Sequence, residues 1–326
     1  MQHGKEHPET LSALYTLGII LSEQGRYQSA ERALRAAAEG YQKCYGGRHS
    51  ATINAVGALG SCLNIQGFFD QAETLFRKCL KALEKVLHKE HPLMLRLGYS
   101  LAYTHSRQGR LKEAEELVVQ VKEIETRVLG AEHLDTISAI STLAKIYLRQ
   151  NRLKEAEELA VQVKEIGTRV LGAEHLDTIL ATSILSQIYL WQNRLKEAEE
   201  LVVQVKEIGT RVLGAEHPET IYATSILAQI YWKQDRLKEA EELAVQAVKM
   251  NTRVLGAEHP DTLFTMHDVA TIWKVQRRSK DAVSLMRECV RLREHVCGLA
   301  HPDTMFSRAA LIQWEMEDVQ SKPWGV

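Results

Sequence analysis

The sequence predicts an all-α fold, a solenoid in which tandem helix–turn–helix units stack on one another. Three observations predict it: a histidine that recurs every 42 residues, helix-start residues after each histidine, and a turn residue near the middle of each period. A fixed period over seven intervals is typical of stacked copies of one supersecondary unit rather than of a single globular core. The recurring histidines are His7, His49, His91, His133, His175, His217, His259 and His301.

The first helix of each unit begins directly after the histidine. Proline suits the first helical turn because its missing N–H would have no partner there. An acid usually comes next and meets the positive end of the helix dipole. Proline follows five of the eight histidines, as Pro8, Pro92, Pro218, Pro260 and Pro302.

A single turn residue separates the two helices of a unit. Glycine, asparagine and aspartate tolerate a left-handed backbone, so this position predicts a left-handed turn in the first six units. Arg277 departs from the rule and indicates either a strained turn or a turn of different shape. The residues at this position are Gly25, Gly67, Gly109, Asn151, Asn193, Asp235 and Arg277.

The second helix contains the phrase "RLKEAEEL", which begins at Arg110, Arg152, Arg194 and Arg236 and ends each time before a "VLG" stop. Catalytic carboxylate pairs need two different environments, whereas four copies on one helix face share a single environment. The phrase is therefore predicted to be scaffold, with its alanine and leucines packed inward and its charges on a solvated outer face.

The period also predicts the domain organisation. Residues 1–7 are assigned to a partial link, residues 8–301 to seven 42-residue repeats, residues 302–320 to a C-terminal capping helix and residues 321–326 to a tail. Small residues at one point of each helix, such as Gly18, Gly60 and Ala30, are expected to let the helix axes approach closely.

The stretch "LAKIYLRQNRLKEAEEL" resembles the tetratricopeptide repeats, with their Leu-Ala pair, tyrosine, turn residue and second-helix alanine in order. The 42-residue version with its "LGAEHPDT" link is similar to the kinesin-light-chain type, also found in tandem arrays of fungal signalling NTPases. This resemblance implies a right-handed superhelix whose first helices line the concave side. It also implies a non-catalytic scaffold that binds a peptide or protein segment there.

Composition excludes several other classes of function. With 41 basic and 42 acidic residues, no overall charge favours nucleic acid or a membrane surface. Five cysteines without a CxxC pair indicate reduced thiols and a cytoplasmic location. Histidines in successive repeats lie about 8–10 Å apart or more, too far to share one metal ion. Without a nucleophile or phosphate-binding motif, we expect no enzyme activity and no cofactor.

Differences between nearly identical repeats point to the candidate site. Residues 149–190 and 191–232 differ at seven of 42 positions, and three of these changes introduce Trp191, Tyr222 and Trp232. Together with first-helix cations they predict a groove for an acidic peptide with bulky apolar side chains. The alternative is that the aromatic residues pack between repeats. The predicted groove consists of Arg107, Lys145, Arg149, Trp191, Tyr222, Trp232, Lys233, Phe264 and Lys274.

The biological setting stays open among three alternatives. The binding module is expected to be a scaffold or the sensor arm of a larger signalling protein. A cargo adaptor of the kinesin-light-chain type is the second alternative, although the asparagines of that family's groove are replaced here, for example by His267 and Asp268. A self-associating architectural repeat protein is the third.

Overall fold

The computed structural model describes residues 7–24, 26–84 and 87–320. These residues form fifteen α-helices and no β-strand, so the predicted all-α fold of tandem helix pairs is confirmed. The helices are α1 (Pro8–Glu23), α2 (Tyr27–Tyr45), α3 (Ser50–Ile65), α4 (Phe69–Leu83), α5 (Pro92–Arg107), α6 (Leu111–Val128), α7 (Leu134–Arg149), α8 (Leu153–Val170), α9 (Leu176–Trp191), α10 (Leu195–Val212), α11 (Pro218–Lys233), α12 (Leu237–Val254), α13 (Pro260–Val275), α14 (Ser279–Val296) and α15 (Pro302–Gln320).

Contacts divide the chain into two compact units, Met1–Asn151 with α1 to α7 and Arg152–Val326 with α8 to α15. Within each unit, every helix packs against the helix before it and the helix after it. First helices of successive repeats also touch, as α3 touches α5 and α9 touches α11. This order of contacts is that of a repeat stack, in which each repeat relies on its neighbours for burial.

A histidine caps the N-terminus of every first helix. Its imidazole Nδ1 accepts a hydrogen bond from the backbone N–H two residues later, at 3.2 Å between His133 and Asp135 and at 3.1 Å between His259 and Asp261. Such N–H groups have no partner inside the helix, and serine or aspartate usually satisfies them. The link histidines are therefore structural caps. Burial lowers the pKa of His217, which favours the neutral imidazole that this role needs.

The turns between paired helices are left-handed, as the sequence predicts. Gly67 and Gly109 have φ values of 82° and 79°, and Asn151 has 62°. Arg277 has a φ of 63°, so its turn has the shape of the others and carries the strain of a side chain in this region. Gly25 lies outside the described residues.

Close packing within the pairs requires glycine at two points. A Cβ atom on Gly60 would lie 2.7 Å from the ring of Phe76, and one on Gly18 would lie 2.5 Å from Leu34 Cγ. Phe76 is fully buried, so it has little room to move. The predicted role of small residues in helix approach is therefore confirmed at these positions.

The charged phrase of the second helices also links neighbouring repeats. Its sixth residue is a glutamate that accepts hydrogen bonds from the next turn: Glu157 from Gln192 Nε2 at 2.7 Å and from Arg194 Nη1 at 2.7 Å. The guanidinium of Arg194 also lies 3.8 Å above the ring centre of Tyr189. We call this arrangement of glutamate, glutamine and arginine the inter-repeat clamp. The expectation that the charges only face solvent is thus wrong for the first and sixth residues of the phrase.

The clamp around Glu73 lowers the pKa of that glutamate. Burial would raise the pKa of Glu73, but hydrogen bonds from Gln108, Arg77 and Arg110 outweigh burial and lower it to about 2. Arg110 Nη1 lies 2.9 Å from the carboxylate. The clamp therefore remains charged over the whole range in which proteins normally work.

One carboxyl group in the first unit is buried without a full set of partners. Glu125, near the end of α6, is 4% exposed, and its Oε2 has no hydrogen-bond partner among the described residues. Burial and the charge of Asp135 raise its pKa to about 7. The equivalent Asn251 donates to the backbone carbonyl of Asp261 at 3.3 Å. A protonated Glu125 matches this donor role better than an ionised one.

None of the helices in the described part of the chain is long and apolar enough to cross a bilayer. None of the five cysteines forms a disulfide, and Cys79 and Cys289 are buried. Burial raises the pKa of the Cys79 thiol to about 11, so it stays protonated in the core.

Two glycines of α3 give a matched test of helix packing. Gly60→Ala forces the new methyl group onto the Phe76 ring, and we expect it to lower the free energy of unfolding by about 1–3 kcal/mol. Gly57→Ala meets only Leu97, at 3.7 Å, and should raise stability by up to about 1 kcal/mol through helix propensity. Urea unfolding followed by circular dichroism measures both. Equal effects of the two substitutions would contradict the packing argument.

Glu125→Gln tests the buried carboxyl group. The unfolded chain ionises this group near pH 4.5, whereas the folded protein keeps it protonated until about pH 7. The wild type therefore loses stability as the pH rises through this interval and recovers none above it. We expect the variant to be more stable than wild type by about 2 kcal/mol at pH 8, with little difference at pH 4. Glu123→Gln, on the exposed side of α6, is the control.

Candidate functional site

The predicted groove residues fall into both units. Arg107 and two further cations belong to α5 and α7 of the first unit, whereas all the predicted aromatic residues belong to the second. The first unit holds Arg107, Lys145 and Arg149, and the second holds Trp191, Tyr222, Trp232, Lys233, Phe264 and Lys274. The predicted arginines therefore lie only in the first unit, whereas the second unit holds all the predicted aromatic residues together with two lysines.

The basic side chains of the first unit are held by neighbouring helices. Arg149 Nη1 donates a hydrogen bond to the backbone carbonyl of Ser106, and the Arg107 guanidinium lies 5.5 Å from the ring centre of Phe69. Lys145 is partly buried on α7. A further cation, Arg96 on α5, was not predicted. Its guanidinium donates to Asn54 Oδ1 of the preceding repeat at 2.6 Å.

The three aromatic residues singled out from the repeats have different environments. Trp191 is 47% exposed at the end of α9. Trp232 packs against a core cluster that includes Val269 and Ile272. Tyr222 is partly buried, and its hydroxyl donates to Gln187 Oε1 at 2.6 Å, which links α11 to α9. Of these three side chains, Trp191 is the one placed to contact a ligand without disturbing the core.

Phe306, an aromatic residue outside the predicted groove, lies at the same repeat position as Tyr222 and Phe264. Leu180, Tyr222, Phe264 and Phe306 occupy one position in four successive first helices. Phe306 is 67% exposed on α15, and its ring centre lies 5.1 Å from that of His267. The 42-residue spacing predicts this position, whereas the sequence pattern of α15 by itself predicts only a cap.

The two lysines of the predicted groove in the second unit also have different environments. Lys233 is exposed at the end of α11, at the position equivalent to Trp191. Lys274 Nζ lies 3.1 Å from the carboxylate of Glu317 and 5.8 Å from the ring centre of Trp314, both on α15. The charge of Lys274 is thus balanced within the protein, and Lys233 carries the basic character of this surface.

A polar cluster lies where α13, α14 and α15 meet. Arg293 is 4% exposed, and its Nη1 donates to Ser307 Oγ at 2.8 Å. The same Oγ lies 2.9 Å from His267 Nδ1, and Gln229 Nε2 donates to Asp268 Oδ2 at 2.7 Å. Burial raises the pKa of Asp268 to about 7, although the hydrogen bond from Gln229 and the charge of Arg293 oppose this. In the sequence, His267 and Asp268 depart from the pattern of a known family, and this departure by itself does not predict the cluster.

Comparison with known proteins places this geometry in a family. The family model described as tetratricopeptide repeat matches residues 1–43, 50–124, 93–169, 177–253 and 223–295. No curated protein sequence matches the chain.

Several solved structures are similar to the chain. The structure of nearly identical TPR-like repeats of a putative kinesin light chain from Podosopora anserina is 30% identical, covers 63% of this chain and 98% of its own, and has a TM-score of 0.47. NprR in complex with its cognate peptide NprX is 12% identical over 95% of this chain and 84% of its own, with a TM-score of 0.63. A signal transduction ATPase with numerous domains and a tetratricopeptide repeat sensor, from Pyrococcus horikoshii, is 14% identical over 91% of this chain and 42% of its own, with a TM-score of 0.54. The last two bear on the fold alone.

Truncation of the two tryptophans separates ligand contact from packing. Trp232→Ala removes a side chain from the core cluster, and we expect it to lower the free energy of unfolding by about 2–4 kcal/mol. Trp191→Ala removes a largely exposed ring and should change stability by less than about 0.5 kcal/mol. Chemical unfolding of the two single variants measures both effects. A large loss for Trp191→Ala would show that this ring also supports the fold.

Proposed function

The chain belongs to the tetratricopeptide repeat family, and on this premise we propose that it is a non-catalytic module that binds a peptide or protein segment along its first helices. The observation that carries this proposal is the difference between its two sets of helices. Clamp charges on second helices are used to join repeats, as in Glu157 and Arg194. First helices instead present Trp191 and Lys233, which are exposed at equivalent positions of successive repeats.

The chemistry of these surfaces supports a peptide that carries acidic and bulky apolar side chains. Arg107, Lys145 and Arg149 supply positive charge in the first unit. Trp191, with Tyr222 and Phe264, supplies ring surface in the second. Arginine forks bind carboxylates well, and exposed aromatic rings are typical binding hot spots. The NprR complex supports the choice of a peptide ligand, because its structure covers nearly the whole chain with a TM-score of 0.63.

We further propose that this module works in the cytoplasm, as a scaffold or as the sensor arm of a signalling protein. Its five cysteines, none of which forms a disulfide, support a reducing compartment. The structural likeness to a signal transduction ATPase with a repeat sensor supports the sensor arm. The net charge of −1 argues against nucleic acid as the partner.

Selection from a peptide library followed by isothermal titration tests the proposed function. We expect the chain to select peptides with acidic and aromatic residues. Trp191→Ala and Lys233→Ala should each weaken the best peptide by about ten-fold or more, since both remove exposed contacts from rigid helices. Lys196→Ala, which removes an exposed lysine from the second helix α10, is the matched control and should have no effect. Selected peptides that bind all three variants equally would refute the assignment of this surface.

A further inference from the structure

The surface of α13 differs chemically from that of the other first helices in its unit. His267 and Asp268 stand where α11 has Ser225 and Ile226. Ile226 is buried, so an acid has replaced an apolar residue at this point in the repeat. Because burial of a carboxylate costs free energy unless it is paired, the acid requires a compensating group.

The His267 ring is held inside the polar cluster. Arg293 donates to Ser307 Oγ and can only donate, because a guanidinium has no acceptor. The Ser307 Oγ is fully buried and also lies 2.9 Å from His267 Nδ1, so it joins the His267 ring to Arg293. Burial and the charge of Arg293 lower the pKa of His267 to about 4, so the ring is neutral at pH 7 and does not repel a cation.

One oxygen of the Asp268 carboxylate accepts a hydrogen bond, but the negative charge of the carboxylate is only partly compensated. Gln229 donates to Oδ2 at 2.7 Å, and the side chain as a whole is partly exposed. Burial raises its pKa to about 7 despite that hydrogen bond and the charge of Arg293. A cation or a strong donor next to Oδ1 would favour the ionised carboxylate. The acid is thus suited to receive a group from outside the protein.

One aromatic ring shares the helix side of this acid, and a second ring covers the neighbouring His267. Phe264 precedes Asp268 by four residues on α13 and is therefore on the same side of the helix. Phe306 lies against the ring of His267, with the two ring centres 5.1 Å apart. The faces of aromatic rings attract cations, and they also cover the alkyl stem of a lysine or arginine. Lys274 does not neutralise the acid, because its own partner is Glu317 at 3.1 Å.

We propose that Asp268, His267, Phe264 and Phe306 form a recognition site for a lysine or arginine side chain of the bound peptide. The cation donates to Asp268 Oδ1 and the Phe264 ring covers its stem, while Phe306 and the neutral His267 ring cover the adjoining part of the peptide. This inference rests on the proposed function and specifies it. An otherwise acidic ligand carries a basic residue where it contacts α13.

Paired selections from a random 12-residue peptide library test the site. One selection uses the full wild-type chain, and the other uses Asp268→Asn, which keeps the size of the side chain and an acceptor for Gln229. We expect lysine or arginine at one position of the wild-type peptides and no such preference with the variant. The best wild-type peptide should bind Asp268→Asn about 10-fold to 100-fold more weakly. Replacing its basic residue by norleucine should abolish the difference between the two proteins.

Two further variants complete the test. Asp235→Asn removes the same charge from the exposed turn after α11 and should keep the wild-type preference. Phe306→Ala removes a ring that is 67% exposed, so its expected ten-fold loss of affinity for the basic peptide cannot come from unfolding. Wild-type peptides without a basic position would overturn this inference and leave the proposed function intact. If no peptide is selected, the proposed function fails and the inference fails with it.

Discussion

One glutamate on each of the first six second helices holds the turn of the repeat that follows. Glu199 accepts from Gln234 Nε2 at 2.8 Å and from Arg236 Nη1 at 2.9 Å, and Arg236 also covers the ring of Tyr231 at 3.5 Å. Because both donors lie in the turn between two helices, this clamp determines where the next first helix ends and the next second helix begins. A residue inserted within either helix would rotate a clamp group away from its partners. The absence of insertions from the 42-residue period is explained by this requirement.

Because of the clamp, the first and second helices of the repeats have different roles. Second helices use their recurring charges for contacts between repeats, so their sequence is constrained. First-helix positions outside the seam take no part in the clamp, and one of them holds Leu180, Tyr222, Phe264 and Phe306 in succession. Variation at these positions changes the chemistry of the surface at little cost in stability. Recognition can therefore differ from repeat to repeat while the scaffold stays the same.

Periodicity in the sequence was sufficient to predict the helices and the left-handed turns, because each is a local consequence of residue type. It was insufficient for contacts that join distant residues, such as Lys274 with Glu317. One feature of the sequence does point to the clamp. Its glutamate is replaced by Val283 in the seventh repeat, where the side chain packs in a core cluster with Trp314. The pattern also could not separate Trp191 from Trp232, because exposure depends on the direction in which each ring points.

The polar cluster around Arg293 is hard to explain by stability alone. The equivalent residue is Gly209 in one repeat and Asn251 in another, so the fold does not need a cation there. A buried guanidinium loses its hydration, and the three groups it contacts, Ser307 and the carbonyls of Asp303 and Leu263, only offset that cost. What the arrangement does produce is a fixed position for the His267 ring and for the last helix. Both effects determine the chemistry of the α13 surface more than they stabilise the core.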